Sequence, residues 1–313
     1  MEERPAGVNG KDRHGAGRRV AALVGVLLGF GLLAAIAFAF AGDDGGLVGA
    51  EEQGSEPTND SASTAPTTKT PPDPVLRIVF PEGFTREEMA GRIAAVNEIA
   101  EQKRNITPKL RPREYLLTTE RVRGLPTDFR NVDAPNLEGF LFPATYEFTE
   151  QWRSRRLANA QLEAFGRAWD EIGVGYARRR NLTPYDIVII ASMIEKEVQV
   201  PRERALVAAV IYNRLRAGMP LGIDATIRYG LDIPPTEPIL QSQLESDSPY
   251  NTRRFAGLPP TPIGNPGLAS LEAAARPANV DFLYFVRKAD CKSHFFTVDE
   301  REFLEYPRAG LQC

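Results

Sequence analysis

The sequence predicts an α+β fold, preceded by a single membrane-spanning helix and a flexible tether. Residues 20–41 are apolar or small throughout, and the segment that follows them is nearly free of large apolar side chains. From residue 75 onward, strand and helix patterns alternate irregularly, which favours an α+β arrangement over a regular parallel sheet. The composition, 42% hydrophobic and 25% charged, is typical of a globular protein. The formal net charge of -3 argues against a nucleic-acid-binding protein, which is usually basic.

Residues 20–41 are a candidate transmembrane helix, because at about 1.5 Å per residue they can cross a hydrocarbon core of roughly 30 Å. Basic residues precede this segment, and Asp43 and Asp44 follow it. The positive-inside rule then places residues 1–19 in the cytoplasm and the rest of the chain outside it. The alternative is a cleaved signal peptide that ends at "AFA" before Gly42. The apolar run is longer than the roughly 7–15 residues typical of such peptides, which favours a retained helix.

Residues 42–74 are predicted to be a disordered tether that is acidic and rich in proline. They also contain many Gly, Ser and Thr residues. Such a segment cannot bury enough apolar surface to offset the conformational entropy lost on folding. The folded part is therefore expected to begin near Val75.

The first elements of the folded part are predicted to be a strand and a helix. The segment "VLRIVF", residues 75–80, has the composition of a strand. Thr85 and Glu88 then form a capping-box pattern, which predicts the start of a helix. After "LEGFLFPATYEF", where apolar and aromatic residues crowd around Gly139, an amphipathic helix is expected from about Ser154 to Arg178.

The stretch "DIVIIASMIEKEVQVPRER", residues 186–204, predicts a buried helix that ends in two glutamates. Thr183 is a suitable N-cap for this helix, and Pro184 suits its first position. Apolar residues occur on all sides of the helix, as expected for a helix in a core. Glu195 is expected to project beside apolar neighbours, whereas Glu197 points about 200° away around the helix axis.

Glu195 is therefore a candidate general acid. A carboxyl group that loses water to apolar neighbours is disfavoured in its ionised form, and the resulting higher pKa keeps it protonated near neutral pH. The alternative is that the helix emerges into solvent, with the "EKE" segment pairing with the "RER" segment after Pro201. The pattern by itself leaves both interpretations open.

A series of short motifs runs along the folded part: "PEGFT", "LEGFLFPATY", "ASMIEKE", "NRLRAGMPL", "DATIRYG", "SPYNT", "GLPPTPIGNPG", "LYFV" and "HFF". In this order they resemble the YceG-like family of endolytic murein transglycosylases. The resemblance implies a single-pass protein of the cytoplasmic membrane with an extracytoplasmic catalytic domain. It also implies a small LysM-like part over residues 75–150 and a lysozyme-like catalytic groove in residues 151–313.

The same resemblance implies cleavage of nascent peptidoglycan at the β-1,4 bond between N-acetylmuramic acid and N-acetylglucosamine. The muramic 6-hydroxyl would close on C1 to leave a 1,6-anhydro end, so one carboxyl group suffices, and no cofactor or metal is implied. The family's catalytic glutamate falls on Glu195, the first glutamate of "IEKE", and Glu197 is the reserve candidate. The implied partners are peptidoglycan glycan strands, the cytoplasmic membrane, and peptidoglycan synthases or division proteins, with no nucleic acid.

Further polar and aromatic residues are expected to bind the sugar. Tyrosine offers a flat face for a pyranose ring, and hydroxyl and amide groups suit sugar hydroxyl and N-acetyl groups. The alternative for Asn251 is a rigid turn in which its amide bonds its own backbone, and Glu138 precedes a glycine in a predicted turn. The predicted substrate-binding residues are Asp224, Thr226, Tyr229, Tyr250, Asn251 and Glu138.

The chain departs from the family pattern at "LGIDAT", where Gly222 and Ala225 replace a usual Gln and Pro. This difference keeps two other classes of function open. One is a non-catalytic peptidoglycan-binding scaffold of the cell-wall synthesis machinery. The other is a lysozyme-like hydrolase, which in most cases needs a second carboxyl group near the first.

His294 is expected to pack or hydrogen-bond near the end of a strand, because Cys291 is the only neighbouring residue that could share a metal with it. Cys291 and Cys313 are the only cysteines and are both predicted to be extracytoplasmic. An oxidising compartment permits a disulfide between them. Two free thiols are the alternative, and the spacing does not decide between them.

Overall fold

The computed structural model describes residues 74–306, which form a mixed helix and strand fold. The predicted α+β class is confirmed, with the strands paired in two separate antiparallel sheets of two strands each. In chain order the elements are β1 (Leu76–Val79), α1 (Arg86–Arg104), α2 (Pro112–Thr119), β2 (Thr145–Phe148), α3 (Ser154–Asp170), α4 (Gly175–Arg178), α5 (Pro184–Glu197), α6 (Arg204–Ala217), α7 (Asp224–Gly230), α8 (Gln241–Leu244), α9 (Leu268–Ala275), β3 (Tyr284–Arg287), β4 (His294–Thr297) and α10 (Glu300–Glu305).

Helix α5 lies in the core and brings the glutamate pair to its C-terminal end. The hydroxyl of Thr183 accepts the N–H of Asp186 at 3.1 Å, and the Asp186 carboxylate accepts the N–H of Thr183 at 2.7 Å. All residues from Ile187 to Ile194 are buried, and the helix packs against α6 and the alanine-rich α9. The predicted start of the helix and its burial on all sides are confirmed. The helix ends at Glu197, where the following Val198 is extended.

The part before residue 150 is built from β1, α1, α2 and β2. The two strands pair antiparallel, with Leu76 opposite Phe148. Helix α1 begins after Thr85, whose hydroxyl accepts the N–H of Glu88 while the Glu88 carboxylate accepts the N–H of Thr85. The predicted first strand and the predicted capping box are therefore confirmed.

The amphipathic helix expected from Ser154 to Arg178 is interrupted in the structure. Helix α3 ends at Asp170, and α4 begins only at Gly175. Glycine is costly inside a helix because of its backbone freedom, and both Gly173 and Gly175 stand at the break. Gly173 is also covered by Arg276, since a Cβ added to this glycine would lie 2.8 Å from Nη2 of the guanidinium.

Asn265, in the loop before α9, joins three segments of the chain. Its side chain is fully buried. The Nδ2 group donates to the main-chain oxygen of Phe84 at 2.8 Å and to Oε1 of Glu138 at 2.7 Å, and Oδ1 accepts the N–H of Leu141 at 2.9 Å. Its main-chain carbonyl also accepts the N–H of Gly83 at 2.8 Å. One residue thus ties the turn before α1 and the segment before β2 to the loop before α9.

None of the helices within residues 74–306 combines the length and the apolar character needed to cross a membrane. The predicted transmembrane helix over residues 20–41 lies outside the described part of the chain, as does the predicted tether up to residue 73. Cys291 is disulfide-bonded, and Cys313 also lies outside the described residues.

We expect Asn265→Ala to lower the free energy of unfolding by about 2–4 kcal/mol, because the N–H of Leu141 and the carboxyl of Glu138 would lose a buried partner. Urea unfolding followed by circular dichroism measures the change. Asn131→Ala removes the same group at an exposed position and should stay within about 0.5 kcal/mol of the wild type. Equal midpoints for the two variants would contradict the bridging role of Asn265.

Candidate active site

A cleft of about 1140 Å³ opens at the C-terminal end of α5. Its walls come from the start of α1, the segment before α7, α7 itself, the β3–β4 hairpin and α10. The aromatic rings of Tyr229, Tyr284 and Phe285 face it together with charged groups of both signs. Such a lining suits a ligand that has many polar groups and also flat ring faces. The charged residues are Glu87, Glu88, Lys196, Glu197, Arg214, Asp224, Arg228, Asp232, Arg253, Arg287 and Glu300.

Glu197 is the carboxyl group that α5 presents to this cleft. Its side chain is only 15% exposed, and burial raises the pKa of this carboxyl above its ordinary value. The guanidinium of Arg287, whose Nη2 lies 3.9 Å from Oε2, opposes this increase. The backbone N–H of Ala225 and the charge of Arg253 also oppose it, whereas Asp224 adds to it. A largely desolvated carboxyl at a cleft wall can exchange a proton with a bound ligand.

Asp224 is the first residue of α7 and faces the same cleft as Glu197. Its carboxylate accepts the Nε–H of Arg253, and the two side chains are 46% and 45% exposed. Ala225, one of the two departures from the family pattern, donates its backbone N–H to Glu197. A proline could not make this contact, because it has no N–H group. The departure therefore adds a hydrogen bond to the carboxyl group in the cleft.

Glu195 does not line the cleft. Its side chain is 6% exposed, and Oε2 accepts the N–H of Gly267 at 3.0 Å while Oε1 lies 3.7 Å from Nη2 of Arg204. Its polar neighbours are thus a guanidinium and a main-chain amide, whereas the sequence predicted apolar surroundings. The difference arises because α9 and the start of α6 pack on this side of the helix end. The two glutamates are about 200° apart around the helix, so only one of them can face the cleft.

Glu82 completes the cluster around Glu195. Burial raises the pKa of Glu82, the charge of Glu195 raises it further, and Arg204 opposes the increase. A Cβ added to Gly267 would overlap the Glu82 carboxylate, so a larger residue there would require this side chain to move. The turn before α1 therefore lies close to the start of α9.

Glu138 lies inside the protein at 2% exposure, away from the surface at which the sequence predicted its contact with substrate. Its carboxyl accepts the N–H of Arg86 at 3.2 Å, Nδ2 of Asn265 at 2.7 Å and the hydroxyl of Tyr229 at 3.4 Å. Burial raises the pKa of Glu138 to about 8. The residue supports the cleft from behind, because Tyr229 is a wall residue.

Thr226 and Asn251 are fully buried, so the structure also corrects their predicted contact with substrate. The Thr226 hydroxyl donates to the main-chain oxygen of Ile223 at 2.7 Å. The Asn251 amide donates to the main-chain oxygens of Leu244 and Ser246, each at 2.9 Å. The alternative interpretation of Asn251, a turn stabilised by its own backbone, fits these contacts.

The two predicted tyrosines are brought together, but only one of them lines the cleft. Their rings, those of Tyr229 and Tyr250, have centroids 5.3 Å apart. The hydroxyl of Tyr250 is 2.7 Å from that of Thr261, and Tyr250 does not line the cleft. Of the residues predicted from sequence, the cleft therefore unites Glu197, Asp224 and Tyr229.

Sequence reasoning missed the arginines that contact the cleft carboxyl groups. Arg253 pairs with Asp224 from 29 positions away, and Arg287 reaches Glu197 from 90 positions away. No local spacing marks such pairs. His294 was expected to hydrogen-bond near a strand, and this is confirmed: it begins β4, and its Nδ1 lies 2.8 Å from Oε2 of Glu203.

Comparisons with known proteins agree on one family. Residues 58–309 match the YceG-like family. An endolytic murein transglycosylase of Bacillus subtilis is 33% identical over 69% of this chain and 60% of its own length. One from Streptococcus pneumoniae is 30% identical over 70% of this chain and 42% of its own length. The chain thus spans less than two thirds of either relative. The crystal structure of a yceG-like protein from Listeria monocytogenes superposes with a TM-score of 0.59 at 29% identity, covering 74% of this chain and 75% of that one.

We expect the pH dependence of stability to report the buried Glu138. Its pKa is about 8 in the folded protein and near the ordinary 4.5 in the unfolded chain. Between these values the folded protein keeps a proton that the unfolded chain releases, so the free energy of unfolding falls as the pH rises.

Urea unfolding between pH 5 and pH 8 should show this fall for the wild type. Glu138→Gln should remove up to about 1.4 kcal/mol of slope per pH unit, because its amide does not titrate. Glu101→Gln, at an exposed position on α1, is the matched control and should keep the wild-type slope. An unchanged slope in Glu138→Gln would show that this carboxyl is ionised in the folded protein.

Proposed function

This chain belongs to the YceG-like family, and on that premise we propose that it is a membrane-anchored endolytic murein transglycosylase. Its substrate is nascent peptidoglycan, which it cleaves inside the glycan strand to leave 1,6-anhydro-N-acetylmuramic acid ends. The observation that carries the proposal is a single desolvated carboxyl group, Glu197, on the wall of a cleft large enough for several sugar rings. The names of the relatives, endolytic murein transglycosylases, support the same activity.

We assign the role of general acid and base to Glu197 in preference to Glu195. Glu197 reaches the cleft, and burial raises its pKa, which favours the protonated form that a general acid needs. Glu195 is held away from the cleft, and both of its polar contacts use the carboxylate as an acceptor. Its proposed role is to anchor the end of α5 to the start of α9.

The proposed reaction uses this one carboxyl twice. Glu197 first donates its proton to the glycosidic oxygen as the bond from C1 of N-acetylmuramic acid breaks, which releases the N-acetylglucosamine end as an alcohol. The carboxylate so formed then accepts the proton of the muramic 6-hydroxyl as that oxygen bonds to C1. The anhydro ring closes, Glu197 is protonated again, and no water is consumed.

A lysozyme-like hydrolase is the second candidate, and Asp224 is the observation that favours it. This second carboxylate faces the same cleft and is close enough to raise the pKa of Glu197. Hydrolases that retain or invert configuration generally use such a pair. The ion pair with Arg253 favours instead a sugar-binding role for Asp224, in which its remaining oxygen accepts a hydroxyl group.

The proposal extends to the organisation of the whole chain. Residues 1–19 are cytoplasmic, residues 20–41 span the cytoplasmic membrane, and residues 42–74 form the tether to an extracytoplasmic domain. The order β1, α1, α2, β2, with the strands antiparallel, supports a small LysM-like part within residues 75–150. Residues 151–313 carry the lysozyme-like groove. Peptidoglycan synthases or division proteins are the proposed protein partners.

The test uses the full-length protein in detergent and un-crosslinked glycan strands, with products identified by mass spectrometry. We expect wild-type products lighter than hydrolytic fragments by one water. Glu197→Gln should lower kcat/KM by about 10²–10⁴-fold or more, because it cannot give up or accept the proton. Glu195→Gln, the same substitution two residues earlier, should still yield anhydro products.

Other outcomes would point elsewhere. Loss of activity in Glu195→Gln together with full activity in Glu197→Gln would reverse the assignment of the acid. Products of hydrolytic mass would favour the hydrolase and direct attention to Asp224. Strands that bind to the wild type without any cleavage would favour the scaffold.

The proposed membrane anchor has its own test. We expect the full-length chain to sediment with membranes and to resist extraction by high salt, since insertion of an apolar helix does not depend on charge. A variant that lacks residues 1–41 should be recovered in the soluble fraction. Recovery of the full-length chain without its first 41 residues, as judged by intact mass, would favour the cleaved signal peptide.

A further inference from the structure

Arg287, the last residue of β3, contacts Glu197 at two points. Its Nη2 group lies 3.9 Å from the carboxylate oxygen Oε2 and 3.4 Å from the main-chain oxygen of the same residue. The last carbonyls of a helix have no partner within the helix, and Glu197 is the final residue of α5. One guanidinium therefore holds both the end of the helix and the side chain that this end presents.

The backbone of Arg287 is itself held in place. It stands opposite His294 in the register of the β3–β4 hairpin. His294 is buried, and Oε2 of Glu203 accepts its main-chain N–H at 3.1 Å and lies 2.8 Å from its Nδ1. Since Glu203 immediately precedes α6, the hairpin is fastened to the same helical core that carries α5.

We propose that Arg287 is a positioning residue that orients the Glu197 carboxyl group and sets the pH range in which it works. This inference rests on the proposed role of Glu197 as general acid and base. It goes beyond that role because it adds a second residue, from the β3–β4 hairpin, that influences the protonation of Glu197.

The charged groups around Glu197 single out Arg287. On its own helix, Lys196 is directed to Glu88, with 3.6 Å between Nζ and Oε2. From α7 come the carboxylate of Asp224 and the N–H of Ala225, and the segment between α8 and α9 supplies Arg253, which is bound to Asp224. Arg287 is the cation in direct contact with the Glu197 carboxylate, and its charge is the largest influence opposing the effect of burial.

The direction in which Arg287 shifts the pKa of Glu197 follows from its positive charge. A cation stabilises the carboxylate, so Arg287 keeps the pKa of Glu197 from rising as far as burial alone would take it. The protonated form is needed to break the glycosidic bond, so kcat/KM should fall as the pH rises through this pKa. Without Arg287 the descending limb of the pH profile moves to higher pH.

The experiment compares pH profiles of kcat/KM for the full-length wild type, Arg287→Gln and Arg287→Lys on un-crosslinked strands. We expect the descending limb of Arg287→Gln to move up by about one pH unit, as expected for loss of an opposite charge near 4 Å. Arg287→Lys keeps the charge and should keep the limb. It should still lower kcat, because the flexible ammonium group lacks the planar guanidinium that places Nη2 next to both the carboxylate and the main-chain oxygen of Glu197.

Arg301→Gln is the matched control, since it removes one positive charge from an exposed position on α10 that does not line the cleft. The descending limb of its pH profile should coincide with that of the wild type. The side chain of Arg287 is 32% exposed, so Arg287→Gln should fold, as its urea midpoint will show. If Arg287→Gln does not fold, the pH profile of Arg287→Lys provides the test. Its descending limb must coincide with that of the wild type, because lysine keeps the positive charge.

Three results would overturn the proposal. If Glu197→Gln is inactive but the pH profile of Arg287→Gln has the same descending limb as the wild type, Arg287 has no electrostatic effect on Glu197. Equal shifts in Arg287→Gln and Arg301→Gln would assign the effect to overall charge. Full activity in Glu197→Gln would overturn the proposed role of Glu197 and this inference together, which distinguishes that failure from the first.

Discussion

The buried amide of Asn265 is the interaction on which the geometry of the cleft depends. Its hydrogen bonds join the turn before α1, the segment before β2 and the loop before α9. A buried polar group is costly when unpaired, so these segments can separate only at a substantial cost in free energy. The same loop continues to Gly267, whose N–H holds Glu195, and this contact fastens α9 to the end of α5. The position of the cleft carboxyl therefore follows from contacts made on the opposite side of the helix.

The two glutamates at the end of α5, which are two positions apart, have different roles. The helical rotation of about 200° between them sends one carboxyl to α9 and Arg204 and the other to the cleft. The first is satisfied by donors from the protein, which makes it an anchor. The second is largely desolvated yet still reaches the cleft wall, a combination that enzymes use to tune a general acid. One helical turn therefore carries both the proposed anchor, Glu195, and the proposed general acid and base, Glu197.

Raised carboxyl pKa values are concentrated around this helix end. Burial raises the pKa of Glu82, Glu138 and Glu197, and of these three residues only Glu197 lines the cleft. Each of them costs some stability as the pH rises. Such local costs are typical of functional sites, where the arrangement of charge is set by chemistry more than by folding. Arginines from three different elements, at positions 204, 253 and 287, moderate the charge of the cluster.

The sequence by itself determined the α+β class, the capped starts of α1 and α5, the burial of α5 and the family. These features depend on residues within a few positions of one another, such as Thr183 with Asp186, or on ordered motifs. Only the tertiary structure decided that Glu197 and not Glu195 faces the cleft, that Thr226, Asn251 and Glu138 are buried, and that Arg287 contacts Glu197. Burial and charge at these positions are set by partners as far as 127 positions away, as for Glu138 and Asn265. A local pattern carries no information on which distant segment covers a side chain, and that coverage decides whether a carboxyl supports the fold or carries out the chemistry.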